Sequence, residues 1–200
     1  NRKSRFQLLT INKKKPIQLV WRLYQQVEEA AWATKAGHDY ILRLATAQDL
    51  PLLTDLLMGV SADPRYLRFL SPVPAFNPAR AETMARQLWL ENAWLTQVLL
   101  ATVREDSREQ IIGLGEWHIN PRDCTQADFA LLVRDEWQGQ GIGTVLLKRL
   151  VELAGRDGVT SLHSEIHPTN RVMRKVLSKL NMPVSYQFES GTLEVEVKLA

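Results

Sequence analysis

Short apolar runs separated by turn residues dominate the second half of the chain. They predict strands over Val98–Val103, Ile111–Ile119 and Phe129–Val133, with Asp106-Ser107 and Asn120-Pro121 as the turns between them. Tyr40–Leu44 and Ser161–Ile166 read as strands of the same kind. Val184–Phe188 and Thr192–Val197 read as a pair closed by Ser190-Gly191. Elsewhere the apolar period lengthens to that of a helix. Leu50, Leu53, Leu56 and Leu57 mark one helix, opened by a capping box at Thr46-Ala47-Gln48-Asp49 and stopped near Gly59. Asp63-Pro64 starts a short helix through Arg65–Phe69, and Ser71-Pro72-Val73-Pro74 breaks it. Asn77-Pro78 starts another, with Met84, Leu88 and Trp89 on one face. Val145–Leu153 and a stretch from about Asn170 to Leu180 complete the helices. Near the N-terminus, Pro16 opens a run with Val20, Leu23, Tyr24, Val27 and Ala31 on one face, predicting a helix that ends near Gly37.

This order predicts an α+β domain over residues 39–200: a mixed, mostly antiparallel sheet of six to seven strands flanked by helices. Residues 1–38 form a basic arm and an N-terminal helical extension in this reading. A helix crossover joins Phe129–Val133 to Ser161–Ile166, so those strands are expected to be parallel neighbours. Two hundred residues suffice for a sizeable core, and a hydrophobic content of 45% with 24% charged residues is ordinary for a globular chain. The chain does not begin with Met, which fits a trimmed or excised segment.

Charge changes the picture at one end. The net charge is +3, yet Arg2, Lys3, Arg5, Lys13, Lys14 and Lys15 lie within residues 1–16 with no acid among them, leaving the remainder at −3. Such an arm can contact nucleic acid, but a solvated leader is the favoured reading and no nucleic-acid partner is expected. Cys124 is the only cysteine, so no internal disulfide forms; a reducing, cytoplasmic setting is expected. No apolar run is long enough to span a membrane, and no membrane partner is expected. His118, His163 and His167 have no metal-binding spacing, so no metal is expected.

The densest chemical signal is Val133-Arg134-Asp135-Glu136-Trp137-Gln138-Gly139-Gln140-Gly141-Ile142-Gly143-Thr144, between a predicted strand and a predicted helix. Glycines allow close backbone approach, and the free N–H groups of a helix N-terminus favour phosphate. The spacing fits neither the dinucleotide fingerprint nor a Walker loop.

Gln138-Gly139-Gln140-Gly141-Ile142-Gly143 resembles the Gln/Arg-x-x-Gly-x-Gly/Ala signature of the GNAT superfamily of N-acetyltransferases. His167-Pro168-Thr169-Asn170-Arg171-Val172-Met173 and Leu180-Asn181-Met182 are similar to that family's Pro-x-Asn-x-x-Met segment and its Leu-Gly-Phe end, with Asn181 in the glycine's place. Ala127-Asp128-Phe129-Ala130, Val133-Arg134 and Arg68-Phe69-Leu70-Ser71-Pro72-Val73 resemble bacterial Pat-type protein lysine acetyltransferases. The resemblance runs from Tyr40 to about Lys198.

The resemblance implies transfer of an acetyl group from acetyl-CoA, as acyl-donor substrate, to an amine. Protein lysine side chains are the leading acceptor; small amines are the alternative. A non-catalytic acyl-CoA sensor using the basic arm on nucleic acid is the reading from another class. Leu132, Val133, Gln138, Gly139, Gln140, Gly141, Ile142, Gly143, Thr144, Asn170 and Met173 are then the coenzyme-binding residues, with main-chain N–H of Leu132 and Val133 facing the thioester carbonyl. An amine of pKa near 10.4 needs a base, and two carboxylates compete for that role. Asp128 stands where Pat-type enzymes carry a glutamate; Glu116 stands on the preceding strand, where many other GNAT enzymes place theirs. His118 is a minor candidate for the proton path. Leu177 occupies the position of the family's usual tyrosine acid, so that acid is missing.

Overall fold

The computed structural model describes residues 30–90, 94–106 and 108–199. Eight strands form one sheet: β1 (Ala30–Ala33), β2 (Asp39–Leu44), β3 (Thr96–Glu105), β4 (Arg108–Ile119), β5 (Gln126–Val133), β6 (Ser161–Ile166), β7 (Val184–Glu189) and β8 (Thr192–Lys198). Their order is β1-β2-β3-β4-β5-β6-β8-β7, antiparallel throughout except for the parallel pair β5–β6. The helices are α1 (Leu50–Gly59), α2 (Ala62–Phe69), α3 (Pro78–Ala85), α4 (Ile142–Arg156) and α5 (Arg171–Leu177).

The expected α+β class and the crossover hold, with one more strand than the upper expectation. The addition is β1, where helix was expected to continue to Gly37. Ala30–Ala33 instead pairs antiparallel with Asp39–Leu42. The turn between them is fixed by Thr34, whose N–H donates to His38 O (2.9 Å) and whose Oγ1 accepts from His38 N (3.1 Å). Gly37 supplies a positive φ of 86°. Earlier parts of the expected helix, and the basic arm, lie outside the described residues.

The central strands are covered on both faces, which is why their sequences read as nearly continuous apolar runs. On one face Leu99 and Ala101 of β3 and Trp117 of β4 pack with Leu146, Leu147 and Leu150 of α4. On the other, Leu100, Leu114 and Leu132 pack with Leu53, Leu56 and Leu57 of α1 and with Ala81 and Ala85 of α3. A register shift in the β3–β4 pair, between Ala101 and Thr102, leaves Ile112 unpaired with β3 and puts it on the α4 side together with its neighbour Gly113. Gly113 and Gly115 let α4 lie close: a Cβ on Gly113 would sit 3.2 Å from Leu132 O and from Leu146 Cδ1.

The β5–β6 junction positions everything that follows. These strands pair only from Gln126↔Ser161 to Asp128↔His163. Beyond that point β5 runs on beside β4 to Val133, and β6 runs on beside β8 to Ile166. The parallel strands therefore part, and a cleft opens between them.

Candidate active site

The cleft encloses about 340 Å³. One wall is β5 from Ala130 to Val133, and the opposite wall is β6 with α5. Pro64, Leu67 and Arg68 of α2 cover one side. At the far end lies the loop from Gln138 to Gly141 and the first turn of α4.

Local chemistry explains the loop. Gly139 and Gly141 adopt φ values of 75° and 97°, a region costly for residues with a Cβ. Gly141 is the N-cap of α4, and its carbonyl accepts from Thr144 N (3.0 Å) and Val145 N (3.2 Å). The N–H groups of Ile142 and Gly143 have no acceptor within the helix, so they and the helix dipole face the cleft as an anion site. Gly143 is helical, and a Cβ there would meet only ordinary contacts at 3.7 Å and beyond. Gln138 Nε2 donates to Val133 O and to Asp135 Oδ1, both at 3.1 Å, and Asp135 Oδ2 accepts from Ser61 N at 3.0 Å. The loop is thus tied to β5 and to the start of α2.

Of the eleven residues expected to bind coenzyme, ten line the cleft: Leu132, Val133, Gln138, Gly139, Gly141, Ile142, Gly143, Thr144, Asn170 and Met173. Gln140 does not; its Nε2 turns back to Glu136 O (3.3 Å). Asn170 caps α5, with Oδ1 accepting from Met173 N at 2.9 Å. Leu177 is fully buried in the core, away from any proton-donating role.

The β4–β5 ladder separates the two main-chain candidates. Arg134 N donates to Ile112 O (3.0 Å) at one end, and Asn120 N donates to Gln126 O (2.9 Å) at the other. In an unbroken antiparallel ladder, alternate residues then direct their N–H and C=O to β4. Leu132 belongs to that set. The main-chain N–H groups of Leu131 and Val133 point the other way, toward the side that β6 vacates.

A second, more polar hollow adjoins the cleft on the face covered by α2, sharing Arg68, Ala130, Ser164 and Glu165 with it. Both candidate bases lie there. Register places Glu116 opposite Ala130 and His118 opposite Asp128, while β6 brings His163 alongside Asp128. The environments of the carboxylates differ sharply. Glu116 is only 13% exposed; Oε1 accepts from the Arg68 guanidinium, and Oε2 from the Trp89 indole. Asp128 is exposed and belongs to no ion pair among the described residues. His118 and His163 bond instead to Thr96 Oγ1 (2.6 Å) and Ser161 Oγ (3.0 Å). Glu165 and Glu194 add negative charge to the same hollow.

Sequence reasoning missed Arg68 as a cleft residue, together with Ser164, Glu165 and three lysines, Lys35, Lys175 and Lys179. In the sequence Arg68 stands out only as part of the Pat-like segment Arg68–Val73; its apolar neighbours give no sign that it pairs with a strand residue 48 positions away.

Comparison with known proteins agrees with this geometry. The family model described as "Acetyltransferase (GNAT) domain" matches residues 39–183. An acetyltransferase of Pseudomonas aeruginosa is 24% identical over 144 residues, covering 72% of this chain and 75% of that protein. Acetyltransferase Pat of Mycolicibacterium smegmatis is 34% identical over 58 residues, 29% of this chain and 17% of that protein. The crystal structure of the GNAT domain of S. lividans PAT superposes with a TM-score of 0.73 at 24% identity, covering 86% of this chain and 97% of that one. No helix among the described residues is long and apolar enough to cross a membrane. The parted strands, the glycine loop at a helix N-terminus and the family match lead to one conclusion: this chain belongs to the GNAT family of acetyltransferases.

Proposed function

We propose that this chain moves an acetyl group from acetyl-CoA to the side-chain amine of protein lysines, with Asp128 as the general base. The observation that carries the choice of base is the contrast between the two carboxylates. Both oxygens of Glu116 are engaged by Arg68 and Trp89, and protonating it would break an ion pair. Asp128 offers an open carboxylate in the hollow beside the cleft.

The coenzyme fits the cleft chemically. Its pyrophosphate matches the N–H groups around Gly139–Gly143, and the pantetheine arm, rich in amides, matches the β5 edge that lacks a partner strand. The thioester end then lies toward Ala130 and Arg68, where cleft and hollow meet. An arriving lysine is charged, and Asp128, Glu165 and Glu194 favour it electrostatically. Asp128 takes its proton, directly or through water. The free amine attacks the carbonyl carbon, and the developing oxyanion accepts from main-chain N–H of Val133 or Leu131. The C–S bond breaks as the new amide nitrogen loses its second proton, which water carries to the departing thiolate in place of the missing tyrosine acid.

The test is transfer of labelled acetyl from acetyl-CoA to two acceptor sets: lysine-bearing proteins and free small amines. Label on protein lysines, lost with Asp128→Asn, is the expected result. Label on amino acids or polyamines alone would move the acceptor to the small-amine class.

A further inference from the structure

The β1–β2 turn carries a lysine to the glycine loop. Lys35 N donates to Gln140 O at 3.1 Å, fastening the turn to the loop itself. A second contact holds the same turn: the His38 ring meets the buried Trp137 ring edge-on, with centroids 5.6 Å apart. Between these anchors the Lys35 side chain passes over Gly141, where a Cβ would lie 3.9 Å from both Lys35 Cγ and Cε. Lys35 lines the cleft and has no carboxylate partner among the described residues. A cation is thus delivered on a well-anchored turn to the point where a helix N-terminus already favours an anion.

We infer that Lys35 is a phosphate ligand for the donor substrate, laid over the glycine loop so that the coenzyme pyrophosphate is held between its ammonium and the N–H groups of α4. This rests on the reading that acetyl-CoA occupies the cleft. Lys175 and Lys179 line the cleft from α5 and the turn after it, a separate source of charge on the other wall. Lys35 differs from them in being fixed to the loop through its own backbone. Its contribution is a charge-assisted contact added to backbone donors, stronger than a neutral hydrogen bond.

The experiment is calorimetric titration of the full chain and of Lys35→Met and Lys35→Arg with acetyl-CoA, 3′-dephospho-acetyl-CoA and acetyl-pantetheine, at two salt concentrations. Methionine keeps an aliphatic stem over Gly141 and removes the charge; arginine restores it. Lys35→Met is expected to weaken both pyrophosphate-bearing donors on the order of tenfold. It should leave acetyl-pantetheine binding unchanged and flatten the salt dependence, while Lys35→Arg recovers most of the affinity. Equal affinity of wild type and Lys35→Met for acetyl-CoA would overturn the inference while leaving the coenzyme site standing. A parallel loss on acetyl-pantetheine would also overturn it, by showing a structural effect. Absence of acetyl-CoA binding by the folded wild type would instead remove the reading beneath it.

Discussion

Asp128 and Glu116 share one face of the sheet, Glu116 standing opposite Ala130, two residues along β5 from Asp128, yet they are held in opposite ways. Glu116 is nearly buried and bonded through both oxygens; Asp128 is exposed and lines the polar hollow beside the cleft. Two carboxylates with divergent surroundings take different roles. Glu116 ties α2 to the sheet, and in the proposed function Asp128 is the carboxylate that moves a proton.

Exchanging each carboxylate for its amide separates those roles. Asp128→Asn is expected to lower turnover by roughly 10²–10⁴-fold while leaving acetyl-CoA affinity intact. Glu116→Gln leaves the Arg68 guanidinium without its counter-charge and is expected to cost about 1–3 kcal/mol of stability. Steady-state kinetics beside urea denaturation distinguishes them. Full activity in Asp128→Asn with collapse of turnover in a well-folded Glu116→Gln would reverse the assignment.

Gly113 sets how closely α4 approaches the sheet. A Cβ there would meet Leu132 O, a backbone atom that cannot swing away, as well as Leu146 Cδ1 and Ile142 Cγ2 at 3.2–3.3 Å. Gly113→Val is expected to destabilise the fold by about 1–3 kcal/mol through overpacking. Because Ile142 opens α4, coenzyme affinity should fall as well. A denaturation midpoint equal to wild type would show that α4 yields without cost.

Acid should expose the Arg43–Asp49 pair. Burial works to raise the Asp49 pKa, but hydrogen bonds from Arg43 and Thr46 outweigh it and hold the carboxyl below its ordinary range. A lowered folded-state pKa contributes stability above the ordinary carboxylate value, lost as pH falls through the lowered one. Asp49→Asn is therefore expected to cost about 1–3 kcal/mol at neutral pH. The difference from wild type should shrink below about pH 4. Denaturation across that range checks it; a gap that stays constant would mean that the pair does not titrate with folding.

The site was most legible where its geometry is local. A glycine-rich turn between a strand and a helix specifies an anion site within a dozen residues, and six of the seven positions expected from Gln138 to Thr144 line the cleft. The Pro-x-Asn segment was legible for the same reason, since Asn170 caps α5 within its own turn. What escaped is non-local. The Arg68–Glu116 pair depends on how α2 docks on β4, which no spacing encodes. Strand β1 escaped because alanine favours helix, whereas pairing with β2 through the Thr34–His38 turn decides the outcome. With β1 unseen, the place of Lys35 was unseen as well.

The most direct test of the account is calorimetric titration of the purified chain with acetyl-CoA, beside Gly141→Glu. The variant would put a carboxylate and a strained residue, at a φ of 97°, where the phosphates are expected. Saturable one-site binding by wild type, lost in a folded Gly141→Glu chain, is the predicted result. No binding by folded wild type, or equal binding by the variant, would contradict the assignment of the cleft.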